Sequence, residues 1–207
     1  MIFKIIFIGI LLLIGFIILS LIVFNKDVEK KMKNKEKIEY IKFSSKTIFN
    51  ENIDSSIFSQ NKFTMVNIWG TYCSSCVKEL PDLQEIYDEF KSYDVGVLGI
   101  VSDLKIDSYK EKDLKKAISI IEENNIKYPN VFADSTFVEY VTGKLFVIPT
   151  TVFVDKQGHV IGEMIESACS KEEYINIIKD ILADKTDFKV KDSNISCSID
   201  GKCEIKR

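Results

Sequence analysis

Apolar and polar positions change period several times along the chain, and each change marks an element. Residues 5–24 form one apolar stretch without a charged side chain. As a helix rising ~1.5 Å per residue it is long enough to cross a ~30 Å hydrocarbon layer. Residues 25–37 are polar and of mixed charge, a spacer. Short alternation at Ile38, Tyr40, Ile41 and Phe43 predicts an edge strand or hairpin within 38–49, and 50–62 predicts a loop with one helical turn. The run 63–69 has the length of a buried strand, whereas Val77, Leu80, Leu83, Ile86, Tyr87 and Phe90 recur at helical spacing. Pro81 falls inside that helix and is expected to kink it.

Further on, 95–101 is apolar throughout, as a strand covered on both faces should be. Leu114, Ala117, Ile118 and Ile121 predict the crossover helix that a parallel strand pair requires. A short strand is expected over 128–133, and a short helix over 135–142 with Gly143 as its stop. Residues 150–154 and 160–164 flank turn residues and predict a hairpin. Ser170 with Glu173 is a capping-box pattern ahead of a last helix carrying Tyr174, Ile177, Ile178, Ile181 and Leu182. The order predicts an α/β fold with a mixed central sheet and helices on both faces.

The candidate chemistry sits where the first core strand turns into the first helix. Cys73 and Cys76 lie there two residues apart. Unpaired backbone N–H groups and the helix dipole stabilise a thiolate at a helix N-terminus, which makes Cys73 the expected nucleophile. Cys76, one turn later on the same face, is placed to displace a mixed disulfide. Alone, this spacing also serves as half of a zinc site. A second feature decides: Ile148-Pro149-Thr150-Thr151, a proline directly ahead of a β-branched run.

Trp69-x3-Cys73-Ser74-Ser75-Cys76 with Ile148-Pro149-Thr150-Thr151 downstream resembles the thioredoxin superfamily, and within it the membrane-anchored TlpA/ResA-like thiol-disulfide oxidoreductases. The resemblance covers about residues 43–182. It implies the thioredoxin fold, a cis peptide bond before Pro149, and a substrate segment received by Trp69, Tyr72, Ile148 and Pro149. It also implies an acid, Glu79, that tunes the active-site thiols from three residues beyond Cys76. An ordinary first-turn glutamate is the other reading of Glu79. Asn67 stands where thioredoxin carries a buried aspartate. The implied activity is reduction of disulfides in exported proteins, with no organic cofactor and no metal, and with a membrane thiol protein as electron donor. An oxidase or isomerase is the enzymatic alternative, since Ser74-Ser75 lacks thioredoxin's proline. A zinc-binding or client-binding module without catalysis is the alternative from another class. Structural zinc completed by Cys197 and Cys203 is disfavoured, because five residues separate that pair. A peroxiredoxin-type peroxidase is disfavoured by the lack of a Pro-x-x-x-Thr-x-x-Cys arrangement around Cys73.

Composition changes the picture in three respects. At 207 residues the chain holds one domain with appendages: an anchor over 1–24, the spacer 25–37, a thioredoxin-like domain over 38–184 and a tail over 185–207. A net charge of −3 gives no reason to expect nucleic acid. The anchor retains its segment, since no small-x-small cleavage site follows it, and so implies a single-pass protein of the cytoplasmic membrane. Lys26, Lys30, Lys31, Lys33, Lys35 and Lys37 after the segment point the domain inward by the positive-inside rule, whereas the resemblance places it outside. Of the remaining cysteines, Cys169 reads as a buried or incidental thiol. Cys197 and Cys203 flank Asp200-Gly201 and are expected to close a hairpin as a disulfide if a three-residue loop sets them opposite each other. His159, the single histidine, reads as a solvated turn residue.

Overall fold

A computed structural model of the chain describes residues 15, 20, 40–134 and 147–184, and the backbone of 195–197 and 203–205. The chain divides into two compact units, residues 1–37 and 38–207, and the strands and helices named below fall in the second. Among the described residues no helix is long and apolar enough to cross a membrane. The stretch 5–24 lies outside them apart from Gly15 and Ser20, and so does the helix expected over 135–142.

The central strand is β3 (Phe63–Trp69), buried at every position. It pairs in parallel with β4 (Val95–Lys105) and antiparallel with β6 (Thr150–Asp155), which a strand hydrogen-bonded on both edges can do only at the middle of a sheet. With β5 (Asn130–Ala133) beyond β4 and β7 (Val160–Ile165) beyond β6, the sheet order is β5-β4-β3-β6-β7. The mixed sheet expected from the element order is present, and β4 runs four residues past the apolar stretch that marked it.

Period-two alternation divides β3 between two cores. Phe63, Met65 and Trp69 face one cluster, to which α1 (Ser74–Phe90), α2 (Glu111–Glu123) and α3 (Lys171–Leu182) all contribute their buried side chains. Val66 and Ile68 face the other. Among the described residues that second cluster is covered without an α-helix, by Ile41, Phe43 and Phe58 from the segment preceding β3. Helices on both faces were expected, and the described part of the second face departs from this because its only short helix is the 3-10 turn Ser55–Gln60, capped by the Asp54 side chain. The predicted 38–49 hairpin is a pair of three-residue strands, β1 (Ser44–Lys46) and β2 (Asn52–Asp54), so the second strand lies in what reads as loop. Its polar sequence gives no strand signal because β1 and β2 are scarcely buried; they close over an edge. Thr47 bridges Val131, the Ile48 N–H donates to the Asn130 carbonyl at 2.9 Å and Ser45 Oγ to the Phe132 carbonyl at 2.8 Å, which covers the otherwise open edge of β5.

Helix α1 continues through Pro81 to Phe90, and α3 begins with the predicted capping box, Ser170 and Glu173 exchanging hydrogen bonds. On separate backbone, β8 (Ile195–Cys197) and β9 (Cys203–Ile205) form an antiparallel pair whose register sets Cys197 opposite Cys203. The side chains of that hairpin lie outside the described residues.

Phe58 is fully buried and packs edge-on against Phe43 at 5.7 Å. If the 3-10 turn is the lid of the second core, Phe58→Ala will destabilise the domain by about 3–5 kcal/mol in urea unfolding, the usual cost of deleting a buried aromatic ring. A loss below about 1 kcal/mol would mean that the cluster is closed by something else.

Candidate active site

Strand β3 ends at Trp69, and five residues later, at Ser74, the chain is helical. Gly70 allows the turn to pass close under the 147–149 loop: a Cβ there would lie 2.9 Å from Ile148 Cδ1. The Cys73 N–H closes the turn onto the Gly70 carbonyl at 3.1 Å. Cys73 then occupies the N-cap of α1, with its sulfur accepting the Cys76 N–H at 3.2 Å. A helix leaves its first N–H groups without intrahelical partners, and here a sulfur takes the place that a serine or aspartate oxygen usually fills. Cys73 and Cys76 are joined as a disulfide with Cα atoms 5.2 Å apart. Cys76 is fully buried and Cys73 half-buried.

The second sequence feature meets the first in space. Cys73 Sγ lies 3.6 Å from the Ile148 carbonyl oxygen and 3.3 Å from Ser75 Oγ. The Ile148–Pro149 bond is cis, as the resemblance implies. Thr150 Oγ1 donates to the Val147 carbonyl at 2.7 Å and holds that loop from below. Tyr72 (70% exposed) and Val147 (46%) stand out beside the disulfide as an apolar rim. Trp69 does not belong to that rim. Expected among the substrate-contacting residues, it is fully buried and its indole N–H donates to Asn130 Oδ1 at 2.9 Å, so it supports the turn from beneath.

Glu79 is buried, one turn beyond Cys76 on α1. Alternation and register place its partners: Asn67 faces the helix side of β3 and Thr151 is its direct neighbour on β6. Asn67 Nδ2 donates to Glu79 Oε1 at 2.8 Å and to Thr151 Oγ1 at 3.0 Å. The Tyr174 hydroxyl donates to Glu79 Oε2 at 3.3 Å and lies 3.1 Å from Thr151 Oγ1. Burial pushes Glu79 up to about 8, although the hydrogen bonds from Asn67, Tyr174 and the Cys169 backbone N–H favour the carboxylate. Asn67 Oδ1 has no partner, so a half-turn of the amide would offer an acceptor to Glu79 in its protonated form. Such a carboxyl can take a proton or release one near neutral pH.

Thr151 and Tyr174 appear in the sequence only as a strand and a core position, and their contacts with Asn67 and Glu79 escape that reading; the cue was a hydroxyl facing the core. Cys169 is a buried free thiol pushed up to about 12 by burial, which leaves it protonated and inert. His159 is solvated and pairs with Asp155 at 3.1 Å. No group of three or more metal-ligating side chains occurs among the described residues.

The fold and this site define a class, a thioredoxin-like α/β domain with a disulfide at the N-terminus of its first core helix. Comparison with known proteins makes the assignment narrower. Residues 38–162, more than half of the chain, match the AhpC/TSA family, and the chain belongs to it. It is similar to the thiol-disulfide oxidoreductase ResA of Bacillus thuringiensis, 29% identical over 122 residues that make up 59% of this chain and 65% of that protein. The corresponding ResA of Halalkalibacterium halodurans is 25% identical over 124 residues, 58% of this chain and 64% of the relative. The chain thus spans a little under two thirds of the length of the curated relatives that it matches. Among solved structures, a thioredoxin-family thiol:disulfide interchange protein from Chlorobium tepidum superposes with a TM-score of 0.58 at 24% identity, covering 71% of this chain and 97% of that one. StoA from Bacillus subtilis gives 0.52 at 23% identity, covering 67% and 97%. These two likenesses establish the fold.

The raised Glu79 has a consequence for stability. Between about pH 4.5 and 8 the folded protein retains a proton that the unfolded chain has lost, so stability falls as pH rises through that window and the whole cost is present above it. Urea unfolding of the oxidised protein at pH 5 and pH 9 should differ by on the order of 4 kcal/mol from this group alone. Glu79→Gln should abolish that part of the slope; an equal slope in both proteins would show Glu79 ionised throughout.

Proposed function

We propose that the chain is a thiol-disulfide oxidoreductase that reduces disulfides of exported proteins through Cys73 and Cys76. The observation that carries the reading is the disulfide capping a helix N-terminus directly against the Ile148–Pro149 loop. In the reduced form the Cys76 N–H that now faces Cys73 Sγ, together with the helix dipole, would stabilise its thiolate. That thiolate attacks a client disulfide, one client sulfur leaves as a thiolate, and a mixed disulfide with Cys73 forms. Cys76, deprotonated with Glu79 as acceptor of its proton, then attacks Cys73 Sγ and releases the second client sulfur. Two electrons have passed to the client, the pair is left oxidised as in the structure described, and a membrane thiol protein restores it. Tyr72, Ile148 and Pro149 receive the client segment, with Trp69 beneath them.

The curated relatives carry the name thiol-disulfide oxidoreductase, which supports the chemistry, and the reducing direction is our reading. Residues 5–24 are read as a single-pass anchor in the cytoplasmic membrane, 25–37 as spacer and 38–184 as the catalytic domain held outside. Cys197 and Cys203 are read as a local disulfide clasp in the tail 185–207, supported by a register that sets their backbones opposite each other, a geometry within disulfide reach.

Cys73→Ser should abolish exchange, whereas Cys76→Ser should accumulate mixed disulfides, because only the latter keeps a nucleophile without its resolving thiol. Mixed disulfides trapped through Cys76 would reverse the two roles. The reduction potential of the pair tests direction: a value near about −270 mV fits a reductase and one near about −120 mV an oxidase. Mass mapping of the unreduced protein tests the clasp, which free thiols at Cys197 and Cys203 would rule out.

A further inference from the structure

The ladder between β3 and β4 ends at Trp69 and Val101, and past that point the two chains part, one to the cysteine turn and the other onward to Lys105. Side chains take over where the backbone pairing stops. Ser102 Oγ donates to the Trp69 carbonyl at 2.9 Å. Asp103 then engages Thr71 with both carboxylate oxygens: Oδ1 accepts the Thr71 N–H at 3.0 Å and Oδ2 accepts the Thr71 hydroxyl at 2.6 Å. Thr71 is buried and stands two residues before Cys73, inside the turn that the Cys73 N–H closes onto Gly70. Asp103 itself lies in an irregular stretch of β4, where the pairing with β5 shifts register between Val101 and Lys105. A break in register frees side chains from the regular alternation of a strand, and here a carboxylate reaches the neighbouring turn.

We propose that Asp103 is a positioning residue for the nucleophile: its two-point grip on Thr71 fixes the turn so that Cys73 Sγ stays on the helix N–H groups and beside the Ile148 carbonyl. The proposal rests on the reading of Cys73 as the attacking thiol and adds a residue to which neither the sequence reading nor the family resemblance assigns a part. Nothing in the sequence announces it beyond a Ser-Asp pair following an apolar run. The physical argument is one of preorganisation. A charged acceptor bound at two points is stronger and more directional than a neutral one, and a turn free to move by about 1 Å loses thiolate stabilisation and line of attack together. Asparagine at 103 keeps the shape: its carbonyl oxygen still accepts the Thr71 N–H, and its NH2 faces a hydroxyl that can reorient to accept. Alanine keeps neither contact.

The test uses the full chain, reduced, with iodoacetamide alkylation of the Cys73 peptide followed by mass spectrometry across pH, which reads the Cys73 pKa without any client. Asp103→Ala should raise the pKa of Cys73 and slow exchange with a small disulfide about tenfold, with an unchanged far-UV spectrum. Asp103→Asn should restore most of both. Equal downward shifts in the two variants would mean a through-space effect of losing an anion, and equal upward shifts would mean that the shape kept by asparagine does not matter; either overturns the proposal, as would an unchanged pKa in folded Asp103→Ala. Should Asp103→Ala not fold, Thr71→Val removes the hydroxyl contact alone and must shift the pKa upward by a smaller amount; no shift there overturns the proposal. Failure of the wild-type protein to exchange disulfides at all would strike the functional reading and leave this pKa comparison standing.

Discussion

A helix cannot begin without something to satisfy its first N–H groups, and in this fold the group that does so at the critical place is a sulfur. Cys73 caps α1 through the Cys76 N–H, so the requirement that starts the helix also gathers positive potential around the exposed side of the disulfide. The neighbouring structure meets the demands of that arrangement. Strand β3 is held on both edges and delivers the turn at a fixed height, Gly70 leaves room for Ile148, and Cys76 is buried behind its partner.

A second demand comes from placing polar groups under such a site. Glu79, Asn67, Thr151 and Tyr174 occupy the same side of the sheet as a large apolar cluster, and only their mutual hydrogen bonds make that burial tolerable. The set is incomplete, with Asn67 Oδ1 unmatched. An apolar substitute would be simpler to bury, so the carboxyl adds a desolvation cost that these hydrogen bonds offset only in part. The Trp69–Asn130 pair shows a similar economy of space: Gly99, opposite Asn130 in the β4–β5 register, has no Cβ, and one there would collide with Asn130 Oδ1.

Much of this was legible in the chain. Residues 63–69 are the central strand as read, the 170–173 capping box starts the last helix, and the two cysteines and Pro149 converge as the resemblance implies. These features are legible because periodicity and capping chemistry are local. The rest depends on what lies opposite. Asn67 gains its meaning only from a register that brings Thr151 beside it, and Asp103 only from a register shift that no pattern of apolar residues encodes. The β1–β2 hairpin was half visible because its strands close an edge with backbone groups, which leave no hydrophobic signature.

The described chain enters the domain far from the disulfide. Tyr40 bridges His159 and the Ile41 N–H bonds the Gly158 carbonyl, in the turn after Asp155, and Asp155 pairs with Phe63 at the start of β3. The disulfide lies past the other end of that strand. Tyr40 and Ile41 therefore enter the domain at the pole of the sheet remote from the disulfide, and the face that carries Cys73, Tyr72 and Val147 is set apart from that point of entry.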